Sequence, residues 1–357
     1  MIYLDNAATT GIKPDSVIKA VVKSLKYRSA NPGRSGHEMS YRAAEEMFLA
    51  RQKVAEMFNS SVESVCFTSG CTASLNIAIK GLKDGHIVCS SFEHNSVMRP
   101  LFLKNYSIFL NHPKEVVRPD TVAVVCTAAS NVTGKRYDIK AIGDYCKSKG
   151  IIFIVDAAQG AGIFDIDCSN IDYLCIAPHK GFYAPMGVGV IIAKKPPVKP
   201  LIVGGTGSLS ESSAPPGFLP DAIESGTQNL PGIMGIKAGI DFIKNKNIYE
   251  HELYLCEYLY NQLASINGVS IISVYPKKGL AAPIVSFNYK GFHSEEIASL
   301  FNQRGIAVRG GLHCAPMAHR TCGTIKSGAV RVSPSVFNDM TDMRIFIDTF
   351  SEIIKKK

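Results

Sequence analysis

Between residues 64 and 193, short apolar runs alternate with segments of helical periodicity, and this alternation narrows the possible folds more than any other feature of the chain. The apolar runs lie at 64–68, 86–90, 107–110, 121–126, 151–155, 173–177 and 188–193, and helical patterns fill several gaps, notably 72–80, 138–149 and 230–245. Strand–helix alternation of this kind predicts an α/β fold: a mostly parallel seven-stranded sheet sandwiched by helices. Ligands of such sheets bind beyond the carboxyl ends of the strands. Those strand ends are therefore where chemistry is expected.

The flanking segments differ. Residues 1–14 read as an arm, followed by a helix over 14–26, a Gly- and Pro-containing loop at 31–37 and a long amphipathic helix over 40–58. Residues 204–217 are rich in Gly, Ser and Pro, and a loop of that length is either disordered or functional. After residue 246 the pattern becomes helix 248–265, strands 269–274 and 282–288, helix 294–304, strands 306–310 and 328–333, and helix 339–355. A chain of 357 residues is long enough for about two domains. We expect a large domain over 15–245 and a small α+β domain over 246–357, against which the arm packs.

Composition excludes several classes. The longest apolar stretch, 151–164, is interrupted by Asp156 and Gln159 and falls short of the roughly 18–20 residues that span a bilayer. The first residues carry no basic region followed by an apolar one, so a cytoplasmic location is expected. The net charge of +9 is dispersed apart from a lysine tail at 355–357, with no basic arm of interleaved aromatics. Nucleic acid is therefore not an expected partner, whereas anionic small molecules are. Most of the ten cysteines, such as Cys66, Cys89, Cys126 and Cys175, sit inside apolar runs, where cysteine behaves as a small hydrophobe. His313, Cys314, His319 and Cys322 match no common zinc spacing, so no metal is expected.

Polar residues converge at the strand ends. Thr68-Ser69-Gly70-Cys71-Thr72 opens helix 72–80, and free N–H groups at a helix start bind phosphate. His94 follows run 86–90, Asn131 follows 121–126, and Asp156 and Gln159 follow 151–155. His179-Lys180 follows 173–177. A lysine at the mouth of a buried strand is partly desolvated, which frees its lone pair for Schiff-base chemistry. Singly, each residue also reads as an ordinary loop residue or helix cap. Jointly they offer an anion cradle, an aromatic platform, a carboxylate and an amine, the set that pyridoxal phosphate (PLP) requires.

The motifs Leu4-Asp5-Asn6-Ala7-Ala8-Thr9, Asn31-Pro32-Gly33-Arg34-Ser35, Thr68-Ser69-Gly70, Glu93-His94-Asn95, Val155-Asp156-Ala157-Ala158-Gln159, His179-Lys180, Gly226-Thr227-Gln228-Asn229 and Arg309 to Ala315 occur in the order seen in the class V aminotransferase group. Within that group the chain resembles the cysteine desulfurases and selenocysteine lyases, over essentially its whole length. The resemblance implies a fold type I PLP enzyme acting as a homodimer. Lys180 would anchor the cofactor and shuttle the proton. Asp156 would pair with the pyridine nitrogen, Gln159 with the phenolic oxygen, and His94 would stack on the ring. Cys71, Thr72 and His179 would hold the phosphate, joined by Thr227 of the other subunit. Asn131 and Arg331 would take the substrate carboxylate, with Asn6 and Arg309 close by. Cys314, in a turn near cations that favour its thiolate, would be the nucleophile. The implied reaction converts L-cysteine, or L-selenocysteine, to L-alanine and passes the sulfur through a Cys314 persulfide to an acceptor protein. Transamination or another lyase reaction on the same fold, and a non-catalytic PLP- or metal-binding assembly role, are the competing readings. Ala177 departs from the pattern, because the family commonly has a hydroxyl residue there to bond the phosphate, and Pro178 replaces a usual glycine.

Overall fold

The computed structural model describes residues 1–32, 36–244 and 246–355. Gly33-Arg34-Ser35 of the loop motif, the end of the helix read over 230–245 and the last two lysines of the tail lie outside the described residues. The strands are β1 (Ile2–Tyr3), β2 (Val65–Thr68), β3 (His86–Ser90), β4 (Tyr106–Phe109), β5 (Thr121–Thr127), β6 (Ile152–Asp156), β7 (Tyr173–Ile176), β8 (Gly189–Ala193), β9 (Val269–Ile271), β10 (Val285–Tyr289), β11 (Ile306–Ala307) and β12 (Val330–Val332). The α-helices are α1 (Asp15–Tyr27), α2 (Glu38–Met57), α3 (Cys71–Lys80), α4 (Asn95–Leu101), α5 (Ile139–Lys149), α6 (Leu230–Ile243), α7 (Ile248–Ala264), α8 (Ser294–Asn302), α9 (Pro316–Thr321) and α10 (Met340–Lys355).

Strands β2 to β8 form the seven-stranded sheet, in the order β2-β8-β7-β6-β5-β3-β4. Only β8 runs against its neighbours. Side chains alternate strictly between its faces. Val124, Cys126, Phe153, Val155, Leu174 and Ile176 join one core with α2, α5 and α6. Ala123, Val125, Ile154 and Cys175 join another with α3 and α4. Both faces are thus buried, which explains why each strand reads as a continuous apolar run.

Local signals set the helix limits. Asp138 accepts the Ala141 N–H at 2.9 Å to start α5, and Gly150, at φ 65°, ends it in the left-handed region. Asn229 caps α6 by accepting the Gly232 N–H at 3.0 Å. A third core gathers Leu4, Leu255, Leu259, Phe287, Phe301, Val330 and Phe346. It lies between α7, α8 and α10 and an antiparallel sheet ordered β12-β10-β9. The arm enters this region: β1 pairs with β11 in parallel, and Asp5 bridges to Ser333.

Two short helices, α4 and α9, escape the sequence reading, since a seven-residue and a six-residue helix carry too few turns for a periodic signal and α4 contains Pro100. The run read as strand 306–310 is only two residues of ladder. Its polar end is instead a bridge between Arg309 and Arg331. Among the described residues no helix is long and apolar enough to cross a membrane.

Candidate active site

A cavity of about 650 Å³ opens beyond the carboxyl ends of β2, β5, β6 and β7. Its lining includes His94, Asn131, Asp156, Gln159, His179, Lys180, Arg309 and Arg331, so the tertiary fold collects side chains from across some 240 residues of chain. Cys71, Thr72 and Ala177 also face it.

Lys180 stands on the turn that leaves β7, with its N–H donated to Ala177 O at 3.1 Å. The turn is packed too tightly for side chains on either side. A Cβ on Gly181 would sit 2.0 Å from Ala161 O, and one on Gly239 of α6 would sit 1.8 Å from Phe182 O. The amine is held below its ordinary pKa, first by burial and then by the Arg331 charge, with Asp156 opposing. Among the described residues it forms no ion pair. That is the setting a nucleophilic or proton-carrying amine needs.

Asp156 ends β6. Its Oδ1 accepts the Ala158 N–H at 2.9 Å and lies 3.7 Å from Cys71 Sγ. The Cys71 thiol, pushed far up by burial and then by Asp156, is thereby a neutral donor to that carboxylate. The Cys71 side chain thus meets the carboxylate end of the cavity, while its backbone stands at the start of α3, where an anion can be held. Thr72 Oγ1, Ser96 Oγ and His94 Nδ1 form a chain of contacts at 2.8 and 2.9 Å. His94 Nδ1 also accepts the Ser96 N–H at 3.0 Å, which leaves the ring proton on Nε2. Burial lowers His94 to about 4, so its ring is neutral at pH 7 and suited to stacking. Gln159 donates to Ala7 O at 2.9 Å, which fixes its amide at the cavity wall.

Substrate-side residues lie opposite. Arg331, buried in β12, donates from Nη2 to Asp5 Oδ1 at 2.6 Å and from Nη1 to Asn131 O at 3.1 Å. Asn131 Nδ2 holds His313 O at 2.8 Å. Asn95 N–H holds Cys314 O at 2.7 Å. These bonds tether a turn in which His313 (φ 52°) and Cys314 (φ 55°) are both left-handed, a conformation that non-glycine residues adopt only when their surroundings enforce it. Of the ten cysteines, Cys314 is the exposed one, and Arg309 Nη2 lies 3.9 Å from its Sγ. His313 is buried and neutral, lowered to about 2 by burial and then by Arg331.

Asn6 and Thr227 are outside the lining of this cavity. Asn6 stands beside it, in a smaller pocket shared with Gln159 and Lys180, with its amide committed to Ser333 O (3.0 Å), Tyr3 O (3.3 Å) and the Gly11 N–H (3.2 Å). Thr227 is exposed and away from this chain's cavity. Asp5, Glu93 and Asn95 were visible only as motif letters. Buried Glu93 accepts from Ser90 Oγ (2.5 Å) and Thr127 N–H (2.7 Å), and burial pushes its carboxyl up to about 8. Only three-dimensional packing could have revealed that.

The residues present fit PLP. Besides the amine and the carboxylate, His179 Nδ1 is buried, lacks a hydrogen-bond partner among the described residues and belongs to a residue lining the cavity beside the first turn of α3. An orphaned polar atom of this kind calls for a ligand.

Comparison with known proteins agrees. The chain is 30% identical over 383 residues to a probable cysteine desulfurase of Methanothermobacter thermautotrophicus, covering 99% of this chain and 94% of that one. It is equally 30% identical to a probable cysteine desulfurase of Pyrococcus abyssi, over 99% and 94% of the two chains. The apo structure of cysteine desulfurase from Thermococcus onnurineus superposes with a TM-score of 0.88 at 27% identity, over 100% of this chain and 95% of that one. The family model described as Aminotransferase class-V matches residues 2–346, and with the PLP-ready cavity at its strand ends the chain belongs to that PLP-dependent family.

Proposed function

We propose that the protein is a cysteine desulfurase, converting L-cysteine to L-alanine and carrying the sulfur as a persulfide on Cys314. The observation that carries this reading is the position of Cys314: an exposed thiol on a constrained turn tied to the cavity by Asn95 and Asn131, with a guanidinium beside it. Transamination would need no such group.

Arg331, with Asn131, receives the substrate carboxylate. Asp156, with the Cys71 thiol against it, would balance the pyridine nitrogen of PLP, and His94 would stack on the ring. His179, Thr72 and the start of α3 would hold the phosphate. Bound PLP supplies an electron sink for charge developing at the substrate Cα. Lys180 removes the Cα proton and returns a proton later, a task its depressed pKa suits. Cys314 Sγ attacks the substrate sulfur. The new S–S bond forms as the Cβ–S bond breaks, the electron pair stays with carbon, and protonation completes alanine. An acceptor protein's nucleophile in the cytoplasm then takes the outer sulfur of the persulfide, and Cys314 leaves as the thiolate. A homodimer is supported by the exposed Met186 and Leu201 in the cavity lining, continued along the chain by exposed Ile202 and Val203, and in it Thr227 of the second copy would complete the phosphate site.

The test is the fate of sulfur. Wild type incubated with cysteine and no reductant carries one additional sulfur on the Cys314 peptide by mass spectrometry. Cys314→Ala and Cys314→Ser retain PLP and its colour but release neither sulfide nor alanine. Full turnover by Cys314→Ala, or persulfide on Cys322 instead, would sink the assignment.

A further inference from the structure

Lys13 is a cation beside the site that the chemistry above does not use. It lies in the arm just before α1, half-buried, and burial lowers its ammonium to about 8. Among the described residues no carboxylate pairs with it. Its Nζ donates instead to Thr10 Oγ1 at 2.6 Å and to the backbone carbonyl oxygen of His179 at 3.2 Å.

That carbonyl is crowded. It also accepts the Thr10 N–H at 3.1 Å, Thr10 Oγ1 at 3.0 Å and Thr9 Oγ1 at 3.2 Å. A carbonyl offers two lone pairs, yet four donors from residues 9–13 converge on this one. The oxygen belongs to the peptide joining His179 to Lys180, so its direction sets where both side chains can reach. From the other side Gly181 lies flat against Ala161 O, as described above. The turn is thus clamped between the arm and the segment after β6. Holding a half-buried ammonium against only neutral acceptors costs solvation, which points to a role for its position.

We propose that Lys13 is a positioning residue, which with Thr9 and Thr10 locks the His179–Lys180 peptide so that His179 faces the cofactor phosphate and Lys180 reaches the reacting carbon. The proposal rests on the PLP reading of the site, and nothing in the Lys180 motif itself points to it.

Lys13→Met keeps the apolar stem and deletes the donor, while Lys13→Arg keeps a cation with N–H groups. For Lys13→Met, titration of the apoprotein with PLP should show affinity weakened about tenfold, the size of one lost charge-assisted hydrogen bond. At saturating PLP, kcat should fall while KM for cysteine stays, and Lys13→Arg should recover most of both losses. The thermal midpoint of the apoprotein should be the same in all three. Wild-type PLP affinity and kcat in Lys13→Met would overturn the clamp alone. A drop in apoprotein midpoint that Lys13→Arg fails to reverse would also overturn it, leaving a purely structural lysine. A wild-type chain that takes up no PLP would overturn the underlying reading as well.

Discussion

Replacing Asp5 by asparagine should destabilise the protein and tighten its hold on amino-acid carboxylates at the same time. Arg331 is 1% exposed, and burial works against its charge, which Asp5 supports through the 2.6 Å bond to Nη2. Removing one partner of a fully buried pair costs about 3–5 kcal/mol. Here the Asp5 side chain keeps 20% exposure, so solvent screens part of the effect. Asparagine can also still accept one hydrogen bond, worth about 1 kcal/mol. We therefore expect a loss of about 2 kcal/mol, or about thirtyfold in the folding equilibrium. The same substitution removes the negative charge with which a substrate carboxylate competes for Arg331. Urea unfolding of the apoenzyme, analysed at constant slope, measures the first effect. Titration of the PLP-loaded enzyme with L-alanine, followed by its visible spectrum, measures the second. An Asp5→Asn variant with unchanged stability would refute the buried-charge argument. A less stable variant that binds alanine more weakly would show that Asp5 orients Arg331 rather than neutralising it.

Three further outcomes follow from the site. The Glu93 carboxyl is raised from 4.5 to about 8 by burial, so the folded state holds a proton that the unfolded chain releases between those values, and stability falls as pH rises through that window. Glu93→Gln should therefore gain stability relative to wild type on going from pH 5 to pH 8, and a constant gap in urea midpoints would contradict it. Ala177→Ser should tighten PLP binding by about tenfold if its hydroxyl reaches the phosphate, measured by dialysis and re-titration; weaker binding would mean that this position is not a phosphate contact. Lys180→Ala should bind PLP without covalent attachment and lack turnover, and borohydride fixing PLP to that variant would place the anchor on another lysine.

Much of the architecture is legible in the sequence because its causes are local or repetitive. Seven apolar runs at strand length required a sheet covered on both faces, and the helical patterns over 72–80, 138–149 and 230–245 located α3, α5 and α6. The family resemblance likewise named Lys180, Asp156, His94, Arg331 and Cys314 as a set, and the first three each follow a strand end of the large sheet. What only the folded chain decided is which atoms meet. Cys71 turns its thiol to Asp156, Asn6 spends its amide on the backbone, and Asp5 reaches Arg331 across 326 positions. The arm residues Thr9, Thr10 and Lys13 close on one carbonyl beside Lys180. The raised carboxyl of Glu93 and the neutral rings of His94 and His313 are equally invisible in one dimension. Desolvation and side-chain hydrogen bonds depend on neighbours brought in from distant segments, and periodicity carries no record of those neighbours.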